Sequence, residues 1–181
     1  MDESEVIVTA TIAAVAFVTT VVLAATFDVR QRRIPKPITV GGFALALLLR
    51  GFSGWPALAD GLLAAGVGFA VALPLMAFRA LGGGDAKLLV AVGAFLGPDA
   101  FPAALLYTAL AGGVLALYTA ARSGLLPVVL ASCGTLVVSL VTLGRRGRRP
   151  RLLAPGVRTV PYGLAIAFGS LVAWISTGVL R

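Results

Sequence analysis

The sequence predicts an all-α membrane protein: one domain over residues 1–181, about six transmembrane helices, and the N-terminus outside. Three observations carry that expectation. Apolar residues make up 59% of the chain and the mean hydropathy is +1.01, whereas a soluble globule is nearer half apolar. Only 12% of residues are charged, and they fall in short runs between apolar stretches. The segment Val6 to Phe27 carries no charge, and at about 1.5 Å per residue it reaches about 33 Å, enough to cross the hydrocarbon core of a bilayer.

That first segment is preceded by Asp2, Glu3 and Glu5 and followed by Arg30, Arg32, Arg33 and Lys36. A cleaved signal peptide has its basic residues before the apolar core, so the polarity here is that of a span running from outside to inside. Pro35 and Pro37 close the basic loop, and Pro37 is suited to a first helical turn, where its missing N–H is not needed. A short second helix is expected from about Ile38 to Phe52, and Ser53-Gly54-Trp55-Pro56 reads as an outer turn with Trp55 at the interface. The third helix covers roughly Ala57 to Phe78 and returns to the inside at Arg79. Arg50 and Asp60 then meet near the same outer end, in reach of pairing.

A glycine run, Gly82-Gly83-Gly84, leads into Asp85, Lys87 and an apolar segment ending near Leu96. Gly97-Pro98-Asp99 and Pro102 are expected to break it before a fifth helix, about Ala103 to Ala121, and Arg122 again marks the inside. The final span is expected from Pro161 or Tyr162 to about Leu180. Between these lies Gly124 to Gly144, apolar and long enough to span. Kept re-entrant or at the inner surface, it leaves Arg50 and Arg181 outside and the other thirteen of the fifteen Lys and Arg inside. Spanning would divide them eight to seven. The positive-inside rule favours six spans with both termini outside.

Composition also excludes function classes. The net charge of +8 comes from loop-sized basic runs, which set topology and meet anionic lipid rather than nucleic acid. A single cysteine, Cys133, rules out an intrachain disulfide and a cysteine-built zinc site. With no histidine in the chain, Ser-His and Cys-His nucleophile systems and the HExxH metalloprotease motif are absent. Neither a metal nor a cofactor is expected.

Asp28, Asp60, Asp85 and Asp99 remain as candidate acids. The topology puts Asp28 and Asp85 inside, at span ends, and Asp60 and Asp99 outside. An ionisable group at a span edge is a functional hypothesis by default. Taken singly, each inner aspartate has an ordinary reading. Asp85, after three glycines, stands where a helix N-cap belongs, and Asp28 fits a solvated loop residue paired with Arg30 or Arg32.

The surroundings of the pair change that reading. FDVRQRRIPKPIT, Phe27 to Thr39, resembles the motif after the first catalytic span of type IV prepilin peptidases, which are GxGD-type intramembrane aspartyl proteases. LGGGDAKLLVAVGAFLG, Leu81 to Gly97, is similar to that family's Gly-x-Gly-Asp motif, with Gly82 or Gly83, Gly84 and Asp85 in place. PYGLAIAFG, Pro161 to Gly169, resembles the proline-aromatic-glycine opening of its last helix. Lys36 stands where the family usually has asparagine. The cysteine-bearing cytoplasmic insert of the bifunctional members is missing, so the resemblance is to the short form of tight-adherence pilus and preflagellin systems, without methyltransferase activity.

The resemblance implies a multi-pass endopeptidase of the cytoplasmic membrane, in contact with membrane lipids. It would remove the basic leader from prepilin-like proteins, with Asp28 and Asp85 catalytic and Gly82, Gly83 and Gly84 letting the backbone approach an extended substrate. Two facing carboxylates suit that reaction, because like charges a few ångströms apart share one proton. One member can then activate water while the other donates. The competing reading is a small transporter or a structural membrane subunit using Asp28 and Asp85 as a cation or proton site.

Overall fold

The computed structural model describes residues 3–77, 81–122, 124 and 162–178, and these are helical throughout apart from short connections. In chain order the helices are α1 Glu3–Gln31, α2 Lys36–Phe52, α3 Trp55–Ala77, α4 Gly83–Arg122 and α5 Tyr162–Thr177. Three are long and apolar enough to cross a membrane, within Ile7–Gln31, Trp55–Ala77 and Gly83–Arg122. The apolar segment from Gly124 to Gly144 lies outside the described residues, Gly124 excepted, and so does the arginine-rich run that follows it.

Helix α1 runs past its apolar stretch and carries Asp28 inside its last turn, so that residue belongs to a helix and not to a loop. The helix ends where Arg32 takes a left-handed conformation (φ 52°) and donates its N–H to the Asp28 carbonyl at 2.8 Å, an αL termination. Helix α2 opens at Lys36 with Pro37 in its first turn, as expected of a residue lacking an N–H.

Helix α4 consists of two limbs. Gly97, with φ 73° and ψ −179°, interrupts the helical backbone, a conformation that L side chains rarely adopt. Pro98 then starts the second limb. Pro102, expected to contribute to the break, sits inside that limb without ending it.

The kink is held by Arg50. Its Nε donates to the Ala94 carbonyl at 2.6 Å, one Nη to the Phe95 carbonyl at 3.0 Å, and the other to the Ala57 carbonyl at 3.1 Å. The first limb leaves its last carbonyls without intrahelical partners, and the guanidinium fork, with five donors, satisfies two of them. The expected pairing of Arg50 with Asp60 is thus replaced by backbone capping, while Asp60 and Asp99 remain within electrostatic reach.

Helix α4 packs chiefly on α3 and α5. Small residues set the spacing, as in other membrane bundles: a Cβ on Gly93 would lie 2.7 Å from the Ala64 carbonyl oxygen, so the α3 and α4 backbones touch there. The largest buried side chains include Phe17, Phe101, Leu88 and Ile166. Phe17 makes a tilted ring contact with Phe95 (5.7 Å) and an edge-on one with Trp174 (5.9 Å), tying α1 to α4 and α5. Large apolar side chains such as Val15, Leu63, Val114 and Phe168 point outward, as lipid-facing residues do.

Candidate active site

Asp28 is buried, with 6% of its surface exposed. Its Oδ2 accepts the N–H of Gly163 at 2.7 Å, and the Leu164 amide is also directed at the carboxylate. Gly163 and Leu164 belong to the first turn of α5, whose amides have no intrahelical acceptors and carry the positive end of the helix dipole. A carboxylate from α1 therefore caps α5 from across the bundle. That contact leaves no room for a side chain at residue 163: a Cβ there would sit 2.8 Å from Asp28 Oδ2 and 3.0 Å from its Cβ. The ordinary alternative for Asp28, a solvated loop residue paired with Arg30 or Arg32, does not describe this residue, because Asp28 is buried and turned toward α5 while both arginines are exposed.

Asp85 is the third residue of α4, inside the helix and not at its cap. The Ala86 N–H bonds the Gly82 carbonyl at 3.0 Å, so the first turn closes from Gly82. The Asp85 carboxylate reaches back to the Gly82 amide, in the manner of the acidic arm of a capping box. Its Oδ1 is buried and has no hydrogen-bond partner among the described residues.

The glycine run divides by role. A Cβ on Gly82 would meet Asp85 Oδ2 at 2.9 Å, and one on Gly84 would meet the Cβ of Ile34 at 3.2 Å. Gly83 has only the end of Met76, at 3.9 Å. Two of the three glycines thus admit the chain's own carboxylate and its own basic loop.

Asp28 and Asp85, 57 positions apart (85 − 28) in the sequence, lie within electrostatic reach of one another. Tyr162, the first residue of α5, is within reach of Asp85 as well. Asp60 and Asp99 are exposed at the opposite end of the first limb, where with Arg50 and Gly97 they line a cavity of about 270 Å³. A second groove, of about 660 Å³, runs beside Asp85 between α2, α3 and α4. Phe43, Phe69 and Val90 give it an apolar lining, and Lys36, Gly84 and Lys87 also line it.

The buried carboxylate of Asp28 and the half-buried one of Asp85 come from two different helices and lie beside glycines, Gly163 and Gly82. The model of the type IV leader peptidase family matches residues 15–117. The chain belongs to that family. Membership gives this membrane-type bundle a general peptidase role. The match covers Asp28, the basic loop, the glycine run, Asp85 and most of α4. No curated protein and no solved structure matches the chain. Gly163 lies beyond the matched range, and its contact with Asp28 has no counterpart in the sequence reading. Pro161-Tyr162-Gly163 marks the start of a helix in the sequence, but nothing in it tells which side chain meets the freed amides.

Proposed function

We propose that this member of the type IV leader peptidase family is an intramembrane aspartyl endopeptidase. It cuts the basic leader from prepilin-like proteins at the cytoplasmic face, with Asp28 and Asp85 as its acid–base pair. The observation that carries this reading is that Asp28 of α1 and Asp85 of α4 each have a backbone amide against the carboxylate, with Asp85 within electrostatic reach of Asp28. In the cleavage step one carboxylate, ionised, takes a proton from water as the oxygen attacks the scissile carbonyl. The other, protonated, donates to the carbonyl oxygen; the proton taken from water then passes to the leaving amine as the C–N bond breaks, and the former carbonyl oxygen returns its proton to the second carboxylate. The first limb of α4, residues 83–96, spans only about 21 Å at about 1.5 Å per residue. A limb of that length leaves Asp85 below the membrane surface, where water from the cytoplasm enters beside the glycine run. The groove beside Asp85 suits the apolar helix that follows the leader.

Co-expression with a prepilin is the direct test: the substrate is expected to be shortened only when this chain is present. A prepilin left at full length would sink the peptidase reading and leave the transporter or structural reading standing.

The same proposal includes six spans with both termini outside. Reporter fusions at Gly124 and Gly147 are both expected to read cytoplasm, and an external signal at Gly147 would require a seventh span.

A further inference from the structure

The two acids stand on α1 and α4, and among the described residues these helices touch least of all the packed pairs. What lies between the helix ends therefore decides how far apart Asp28 and Asp85 sit. Residues 32–35 join α1 to α2, and both ends of this connection are fixed. The Arg32 N–H donates to the Asp28 carbonyl at 2.8 Å, and the Pro35 carbonyl accepts the Ile38 N–H at 3.1 Å. A residue before proline is pushed to extended backbone, and Ile34, directly before Pro35, lies outside the helices. It crosses the first turn of α4. A Cβ built on Gly84 would be 3.2 Å from the Ile34 Cβ, 3.6 Å from its backbone nitrogen and 3.7 Å from its Cγ1. The loop backbone and the α4 backbone thus meet one residue before Asp85. Ile34 is half-buried and packs on the core, and its β-branch leaves it few rotamers.

We propose that Ile34 is a positioning residue of the peptidase site: seated on Gly84, it fixes the first turn of α4 against the end of α1 and so sets the place of Asp85 relative to Asp28. The path is short. It runs from the Asp28 carbonyl to Arg32, along the chain to Ile34, across to Gly84 and on to Asp85. A reacting constellation has to be held to within about 0.5 Å by side chains that are themselves locked by packing. The missing side chain at residue 84 then makes room for the chain's own loop, and not for a passing substrate. This inference rests on the peptidase reading above.

The test is steady-state cleavage of a purified prepilin by the purified full chain in detergent. Ile34→Ala removes the branched side chain. It is expected to lower kcat about tenfold with KM within about twofold, since misplacement by about 1 Å costs about 100-fold and half of that about tenfold. Ile34→Val keeps the branch, and its kcat is expected to stay within about twofold of the unaltered chain. Gly84→Ala pushes on the same contact from the other side and is expected to cost about tenfold as well. The double variant is expected to lose no more than the worse single one, because both changes act on one contact. Leu47→Ala, at a half-buried residue of α2 packed on the core, is expected to lower the thermal midpoint as Ile34→Ala does and to leave kcat unchanged.

Unchanged kcat in Ile34→Ala would overturn the proposal, and so would a loss confined to KM, which points to a substrate contact in the groove. Losses that multiply to about 100-fold in the double variant would overturn it too, because Gly84 would then serve something other than Ile34. A kcat loss in Leu47→Ala as large as in Ile34→Ala would reduce the role of Ile34 to general packing and sink the proposal as well. Should Ile34→Ala not fold, Gly84→Ala decides alone: a lower kcat at retained KM supports the seat, and an unchanged kcat removes it. The failure of the peptidase reading looks different: the unaltered chain leaves the prepilin uncut, or Asp85→Asn still cuts it, and the role of Ile34 then falls with it.

Discussion

Asparagine in place of Asp28 or of Asp85 is expected to reduce prepilin cleavage to background while the protein still folds and inserts. The geometry explains why the two effects separate. At residue 28 the Gly163 N–H donates to an oxygen of the side chain at 2.7 Å, and an asparagine carbonyl accepts that bond as well. At residue 85 the side chain reaches back to the Gly82 amide, and an asparagine oxygen serves there too. What asparagine cannot do is exchange a proton with water or with the substrate. Asp60→Asn and Asp99→Asn, exposed at the other end of the first α4 limb, are expected to cleave normally. Processing is read by the electrophoretic shift of the substrate, and folding by the thermal midpoint of each variant in detergent. If either inner variant retained full turnover, the paired-carboxylate mechanism would be abandoned. A turn residue or a surface ion pair, worth at most about 1 kcal/mol, predicts that outcome.

Hydropathy and charge were enough to locate these helices, because both are local properties. The α2 start at Lys36 and the break at Gly97 follow from backbone chemistry that Pro37, Gly97 and Pro98 carry themselves. The end of α1 was less legible. Charge begins at Asp28, yet the helix continues to Gln31, since a carboxylate that finds a partner inside the bundle does not end a helix. The start of α4 was less legible for a related reason: the glycine run allows several starts, and the observed one, with Gly82 closing on Ala86, puts Asp85 three positions past the cap. The candidate pair itself was legible only through the motifs around it. Its third wall, the opening of α5, was not, because a contact across 135 positions leaves no local pattern. Arg50 illustrates the same limit, as its carbonyl acceptors at Ala94 and Phe95 carry no sequence signature.

That third wall yields a prediction that runs against helix propensity. Alanine is worth about 1 kcal/mol more than glycine inside a helix, so Gly163→Ala should favour α5 on local grounds. The structure predicts a loss of function instead. A Cβ at residue 163 would lie 2.8 Å from Asp28 Oδ2, 3.0 Å from its Cβ and 3.1 Å from its Cγ, so the whole Asp28 side chain stands in the way. Asp28 cannot rotate aside without giving up the Gly163 N–H, and α1 and α5 cannot separate without disturbing the ring contact of Phe17 with Trp174. Either adjustment displaces the carboxylate by a substantial part of an ångström, and misplacement on that scale costs about 100-fold in turnover. Gly163→Ala is therefore expected to lower kcat by about that factor. Gly113→Ala, on the second limb of α4 with nothing within 4 Å of its Cβ position, is expected to leave it unchanged. The pair of variants is compared by initial rates of prepilin cleavage at equal amounts of folded protein. Turnover within about twofold of the unaltered chain for Gly163→Ala would mean that Asp28 does not depend on α5 for its position, and the reading of α5 as the wall that sets it would be wrong.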